Sequence, residues 1–92
     1  MTELITKIAK DSALSTKGVA SLCVPIYIFV IKKKDKYEID LFLNVFFGEN
    51  IQEIAWNVQE NIHNALIENE VECVEHINIH IQGVKRVEEE HE

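Results

Sequence analysis

The sequence has few of the features that mark secreted or membrane-spanning proteins. Its two cysteines, Cys23 and Cys73, are too few for a disulfide framework. Each begins a predicted strand, and antiparallel strands would hold the thiols roughly 20 Å apart, whereas a disulfide needs Cα atoms within about 7 Å. We therefore predict free thiols, as in a reducing cytosol. The longest apolar run, Val24 to Ile31, is shorter than the about 20 residues that span a bilayer.

Basic residues are in the minority. Nine lysines and arginines stand against 16 aspartates and glutamates, and the formal net charge is -7. Nucleic-acid-binding domains normally carry a basic stripe instead. Four lysines cluster within Lys32–Lys36, where we predict a solvated hairpin loop that protects a sheet edge. Contact with anionic lipid or an acidic partner is the alternative for this loop.

The sequence also lacks a catalytic pattern. Ser12, Ser15 and Ser21 have no GxSxG elbow around them, and Cys73 has no obvious base beside it, so it is interpreted as a packed thiol. The carboxylates are scattered along exposed helix faces and the tail, without a buried pair. We predict no enzymatic activity, no catalytic residue and no cofactor.

Four histidines raise the question of a metal site, but their spacing is unfavourable. His76 and His80 stand four residues apart on a predicted strand, which separates them by roughly 13 Å. A zinc ion needs its ligands at about 2 Å. His63 falls on a helix and His91 in the tail. We predict no metal site within one chain, with a site across a dimer or a pH-sensitive contact as alternatives.

Hydrophobic periodicity predicts one domain over residues 1–87, followed by an acidic tail over 88–92. The elements follow the order α-β-β-α-β, which indicates an α+β two-layer sandwich with a three-stranded sheet and both helices on one face. The predicted bounds are a helix over 3–14, strands over 24–31 and 37–47, a helix from 51 to about 69, and a strand over 72–82.

The second helix has the clearest pattern in the chain. Asn50 is a good N-cap, and Glu53 stands where it completes a capping box. The helical period then predicts a stripe of core residues. Its members are Ile51, Ile54, Ala55, Val58, Ile62, Ala65 and Leu66.

The strand order is less determined. The first strand is apolar on both faces, which favours it as the central strand, with the second and third strands on either side. In the alternative order, the second strand lies in the middle and the third strand runs parallel to it.

Three segments in the correct order resemble the alkaline shock protein family of bacterial envelope stress response proteins. They are IAKDSALSTKGVASL, FFGENIQEIAWNVQENI and VEHINIHIQGV. Phe47 departs from the pattern, because the family usually has tyrosine there. The positions that carry the family motifs are Gly18, Val19, Gly48, Ala55, Val58, Gln59, Gly83 and Val84.

The resemblance implies a small cytoplasmic protein without catalytic activity. Such proteins associate with themselves and with membrane-anchored partners, so the resemblance also implies a homo-oligomer that reaches the membrane through a partner.

The uncovered face of the predicted sheet is rich in aromatic side chains. We interpret it as an interface, because so many aromatic residues rarely stay exposed on a monomer. Stacking of unpaired RNA bases is the alternative, and cover by the chain's own tail is a third. The acidic balance and the lack of a GxxG loop favour the interface. The residues assigned to this face are Tyr27, Phe29, Ile31, Phe42, Phe46, His76, Asn78 and His80.

A second candidate surface lies on the back of the second helix. Trp56, His63 and Ile67 are predicted to lie roughly 120° to 160° away from the core stripe, at about 100° per residue. Tryptophan is enriched among interface anchors, so we predict docking of a partner here. The alternative is that Trp56 partly covers the hairpin or the first helix. The resulting hypothesis is a non-enzymatic interaction module, with a weak single-stranded RNA-binding domain as the alternative.

Overall fold

The computed structural model describes residues 1–22 and 27–86. They form two helices and four strands, which confirms the α+β class and corrects the predicted number of strands. Cys23 and the acidic tail lie outside the described residues. The elements are α1 (Thr2–Leu14), β1 (Val19–Leu22), β2 (Ile28–Lys33), β3 (Lys36–Phe46), α2 (Ile51–Glu68) and β4 (Val74–Lys85).

The additional strand is β1, which lies before the predicted first strand over 24–31 and already pairs with β3. β1 and β2 both run antiparallel to β3, with Leu22 opposite Leu43 and Ile28 opposite Leu41. They therefore occupy successive positions along the same side of β3. The hairpin between β2 and β3 is shorter than predicted, because Lys33 already pairs with Lys36.

The central strand is β3, so our preferred strand order is wrong and the alternative order is confirmed. β4 pairs with β3 in parallel on the side away from β1 and β2. Parallel neighbours need a long crossover connection, and α2 provides it between β3 and β4. The apolar character of both faces of β2 does not reflect central burial, because Phe29 and Ile31 remain 41% and 42% exposed.

Both helices cover the same face of the sheet, as predicted. Alternate residues of β3 point into this layer, where Ile39, Leu41, Leu43 and Val45 are fully buried. Burial of each such side chain contributes roughly 1.5–3 kcal/mol. The helices supply the rest of the core cluster through Ile5, Ile8, Ala9 and Ala13 of α1 and Ile54, Val58, Ile62 and Leu66 of α2.

Two members of the predicted stripe, Ile51 and Ala55, lie outside the core cluster. Ile51 begins α2 and is exposed, because the first turn of the helix extends past the edge of the core. The N-cap is as predicted, since Asn50 Oδ1 accepts a hydrogen bond from the Glu53 backbone N–H at 3.1 Å, which is one of the two hydrogen bonds of the predicted capping box.

The chain between α1 and β1 fixes the two helices to each other. The buried Thr16 hydroxyl donates to the Ser12 carbonyl at 2.8 Å and accepts from Asn61 Nδ2 of α2 at 2.9 Å. Gly18 follows with φ of 97°, and a Cβ atom there would lie 2.7 Å from Ile54 Cδ1. The close approach of α2 to this turn therefore requires glycine.

Candidate functional site

Three rings cross the uncovered face of the sheet, one from each of β2, β3 and β4. Phe29 meets Phe42 edge to face, with ring centroids 6.0 Å apart and an interplanar angle of 85°. Phe42 stacks on His80 at 4.4 Å and 12°. Both arrangements are favourable for aromatic pairs. We call the surface formed by Phe29, Ile31, Phe42 and His80 the aromatic face.

A carboxylate fixes one end of this row. Asp40 Oδ1 accepts hydrogen bonds from Asn78 Nδ2 and from His80 Nε2, each at 3.1 Å. An ionised carboxylate only accepts, so Nε2 of His80 carries the proton. These contacts hold the pKa of Asp40 below its ordinary value: the His80 hydrogen bond is the largest cause, and partial desolvation opposes it. The His80 ring is thereby oriented against Phe42 before any partner arrives.

Some residues predicted for this face lie elsewhere or at its margin. The ring of Tyr27 lies beside α1, with Lys10 Nζ 5.5 Å from its centroid, so it does not extend the aromatic row. His76 is exposed, and its Nε2 lies 3.9 Å from Glu75 Oε2. Phe46 is half-buried and stands opposite Lys85 near the end of the sheet.

The residues predicted on the back of α2 lie beside the outer edge of β4. Trp56 is 58% exposed and Ile67 is 52% exposed. Trp56 lines a recess of about 610 Å³ together with Ile77, Ile79 and His80. The tryptophan therefore flanks β4 rather than the hairpin or α1. Because His80 also belongs to the aromatic face, the two predicted surfaces meet at this edge.

A second recess continues along the same side of the molecule. Its volume is about 270 Å³, and it lies between the end of α2 and the beginning of β4. His63 and Ile67 line it from the helix, and Val71 and Val74 line it from the following chain. The surface on α2 is thus a groove against β4 rather than an isolated helix face.

Sequence reasoning missed the contact between α2 and the free edge of β4. Gln59 Nε2 of α2 donates a hydrogen bond to the Ile77 carbonyl at 2.6 Å, from outside the sheet. Both predicted strand orders place the last strand at an edge, but the sequence marked Gln59 only as a motif residue, because no local pattern shows that α2 lies beside this edge. The alternative order, in which α2 connects two parallel strands, was the signal that could have revealed it.

Several of the residues that carry the family motifs serve the fold rather than a surface. Val19 and Val58 belong to the core cluster. A Cβ atom on Gly83 would lie 2.8 Å from Asn44 Oδ1 on the neighbouring strand, and Gly48 has φ of 95° with open space around it. The others differ, since Ala55 lines the recess beside Trp56 and Val84 is exposed.

Within residues 1–22 and 27–86, no three histidine, cysteine or acidic side chains stand close enough together to hold a metal ion. Cys73 is a half-buried free thiol. Neither helix in this part of the chain is long and apolar enough to cross a membrane.

Solved structures share the fold of this chain. The structure named MamM-CTD 215-293 superposes with a TM-score of 0.63 at 13% identity, covering 90% of this chain and 99% of that chain. The copper form of a MamM CTD variant gives 0.63 at 12% identity, covering 90% and 98%. At such low identity, the likeness shows the fold alone.

Comparison with curated proteins gives no match. The model of the alkaline shock protein 23 family, which is the alkaline shock protein family and is described as having a cell envelope-related function, matches residues 26–86. This range is well over half of the 92 residues and includes β2, β3, α2 and β4. It confirms the resemblance carried by the sequence motifs, and the chain belongs to the alkaline shock protein family.

Proposed function

We propose that this protein is a non-enzymatic interaction module that acts in a cell envelope-related role by self-association and by binding a protein partner. The aromatic face is the self-association surface. The observation that carries the proposal is the row of Phe29, Phe42 and His80, which is ordered by its own contacts and yet partly open to solvent.

The aromatic face has the composition of an interface core. Aromatic side chains bury large areas, and their few rotatable bonds lose little entropy on binding. Here the Asp40–His80 hydrogen bond removes part of the remaining freedom. Ile31 extends the apolar area at the β2 edge. A second copy that covers this face would remove these groups from water without rearranging them.

The charge distribution opposes the alternative of RNA binding. Asp40 places a carboxylate within the aromatic face, close to the ring that a base would stack on. No lysine or arginine lies anywhere from Glu49 to Val84, so β4 up to that residue and α2 offer no such cation for a phosphate. Binding to single strands depends strongly on such cations.

The family suggests where a partner of this module is found. We propose that the partner is anchored in the membrane and that the groove beside Trp56 receives it. An exposed tryptophan beside a recess that Ala55, Ile77 and Ile79 also line has the character of an interface anchor. This chain would then act at the cell envelope through its partner.

Sedimentation velocity over a range of protein concentrations tests self-association. We expect the wild-type protein to form dimers or larger species, and Phe42→Ala to shift the distribution toward monomer by weakening association at least about tenfold. Phe47→Ala is the matched control, because Phe47 is 59% exposed and contacts Arg86 away from the aromatic face.

A wild-type protein that stays monomeric at the highest concentration would contradict the proposed self-association. Equal effects of the two phenylalanine variants would remove the aromatic face from it. Fluorescence anisotropy with a labelled single-stranded RNA at low salt is the parallel measurement. Binding that depends on Phe42 and weakens with salt would favour the RNA-binding alternative instead.

A further inference from the structure

The outer edge of β4 presents backbone hydrogen-bonding groups. Within the described residues, β4 pairs with β3 alone. Gln59 reaches the Ile77 carbonyl from outside the sheet, so the backbone groups of Ile77 point away from β3. The register is regular from Ile77 to Ile81. Because backbone groups alternate along a strand, those of Ile79 and Ile81 point outward as well.

This edge lacks the usual protection in its middle. Natural edge strands carry lysine, proline or bulges that prevent pairing with another chain. β4 has irregularities in its register with β3 near its two ends, between Tyr37 and Glu38 and between Leu43 and Asn44. Between them, residues 76–81 read HINIHI, with no proline and no lysine. Apart from the Ile77 carbonyl, which accepts the Gln59 hydrogen bond that an added strand would have to replace, about 20 Å of regular strand at about 3.3 Å per residue is therefore open to pairing.

Recesses that are partly lined by apolar side chains lie along this open edge. Trp56 and Ala55 of α2, with Ile77 and Ile79 of β4, line the larger recess. Ile67 and Val71 line the smaller one at the beginning of β4. The side chains of an added strand alternate between the two faces of the sheet, so every second side chain would point toward these recesses.

The negative charge around the groove favours a partner that carries lysine or arginine. All charged groups between Glu49 and Val84, apart from the histidines, are negative. They are Glu49, Glu53, Glu60, Glu68, Glu70, Glu72 and Glu75. Glu72 lines the smaller recess, and Asp40 of β3 lines the larger one. Glu60 and Glu75 line a third recess of about 300 Å³ between α2 and the beginning of β4. Edge-to-edge pairing of two β4 strands would place these carboxylates near one another, which is unfavourable.

We propose that β4 accepts an additional strand from a partner protein, and that this strand is an extended segment in which lysine or arginine alternates with apolar residues. The apolar side chains occupy the recesses beside Trp56 and Ile67, and the cations contact the surrounding carboxylates. Main-chain hydrogen bonds to the β4 edge hold the segment, as in other cases of strand addition. The inference rests on the proposed role as an interaction module and gives the chemistry of the partner.

A synthetic peptide tests the proposal directly. The probe is a fluorescein-labelled peptide of about nine residues in which lysine and valine alternate, titrated with the full chain and followed by fluorescence anisotropy. Two further peptides carry N-methyl groups, one on its valine amides and one on its lysine amides. In an added strand, either the valine amides or the lysine amides face β4, and an N-methyl group removes the hydrogen bond that such an amide would donate. We therefore expect one methylated peptide to bind at least about tenfold more weakly than the other.

Protein variants locate the site. Reversing two charges at the groove, with Glu60→Lys and Glu75→Lys together, is expected to weaken peptide binding about tenfold or more. The control carries Glu3→Lys and Asp11→Lys on α1, which change the net charge equally, and it is expected to change binding less than about twofold. Trp56→Ala is expected to weaken binding about fivefold or more without unfolding the exposed site.

The outcomes separate this inference from the proposed self-association. Absence of peptide binding, equal binding of both methylated peptides, or equal effects of the groove and α1 reversals would overturn strand addition. Sedimentation of the Phe42→Ala variant would still report on the aromatic face independently. If the peptide binds as expected to a protein that is strictly monomeric, strand addition stands and self-association falls.

Discussion

The two faces of β3 are formed by alternating residues of one strand, and they differ in burial. On the helix side, Leu41 and its neighbours are fully buried within one packed cluster. On the other side, Phe42 rests on Phe29 and His80 and remains partly open. The helix side forms the core of the domain, whereas the open side has ordered side chains that we expect to contribute less to stability.

Neighbouring alanine substitutions test this difference most directly. Leu41→Ala creates a cavity in the core between the sheet and the helices, and it is expected to lower the free energy of unfolding by about 2–5 kcal/mol. Phe42→Ala removes one ring from a partly solvated row, and about 1–2 kcal/mol is expected for the monomer. Urea unfolding at low protein concentration measures both.

The concentration is chosen so that self-association does not add to the stability of the wild-type protein. If Phe42→Ala destabilised the monomer as much as Leu41→Ala does, the aromatic face would be a second core. The difference between the two faces would then have no functional meaning.

Two glycines extend the comparison between buried and exposed regions, because Gly18 lies against the core and Gly48 lies in open space. Gly18 and Gly48 have nearly equal positive φ angles, but only Gly18 has Ile54 in the path of a Cβ atom. Gly48→Ala is expected to cost about 1 kcal/mol from backbone strain alone. Gly18→Ala adds displacement of a buried side chain, and about 2–4 kcal/mol is expected in total.

Thermal and urea unfolding of the two glycine variants provide the measurement. Equal losses of stability would mean that Ile54 moves aside freely, and that the helix layer is less tightly packed at this turn than on β3.

The sequence allowed prediction of the features that depend on local chemistry. The Asn50 cap and most of the α2 stripe follow from side chains a few residues apart, and both are present in the structure. The strand order could not be predicted in this way, because apolar residues on both faces of β2 look the same whether a helix, solvent or a partner covers them. Phe29 and Ile31 suggested a central strand and instead lie exposed.

The candidate site was also predicted only in part, because local alternation fixes some of its residues and contacts distant in sequence fix the others. Alternation placed Phe29, Phe42 and His80 on one face, where the structure brings their rings together. Tyr27 follows the same alternation, yet its ring lies beside Lys10 of α1. The groove next to Trp56 was not predicted, because the position of α2 beside the edge of β4 depends on packing between residues distant in sequence.

The smallest expected effect concerns the carboxylate of the open face. Because the pKa of Asp40 is lowered in the folded protein from its ordinary 3.8, its charged form stabilises the fold. This contribution is fully present well above pH 3.8 and is lost as the pH falls through the lower folded-state value. Asp40→Asn removes it, so the variant should be less stable at about pH 7 by at most about 1 kcal/mol, since the group is partly exposed.

Urea unfolding at about pH 7, 5 and 3 tests this dependence. We expect the difference between wild type and Asp40→Asn to shrink at the lowest pH, where the protonated carboxyl resembles the amide. Glu75→Gln is the control, because Glu75 lies 3.9 Å from His76 with both side chains more than half exposed. Its effect should stay within about 0.5 kcal/mol. A difference for Asp40→Asn that persists unchanged at the lowest pH would show that shape, not charge, holds His80 against Phe42.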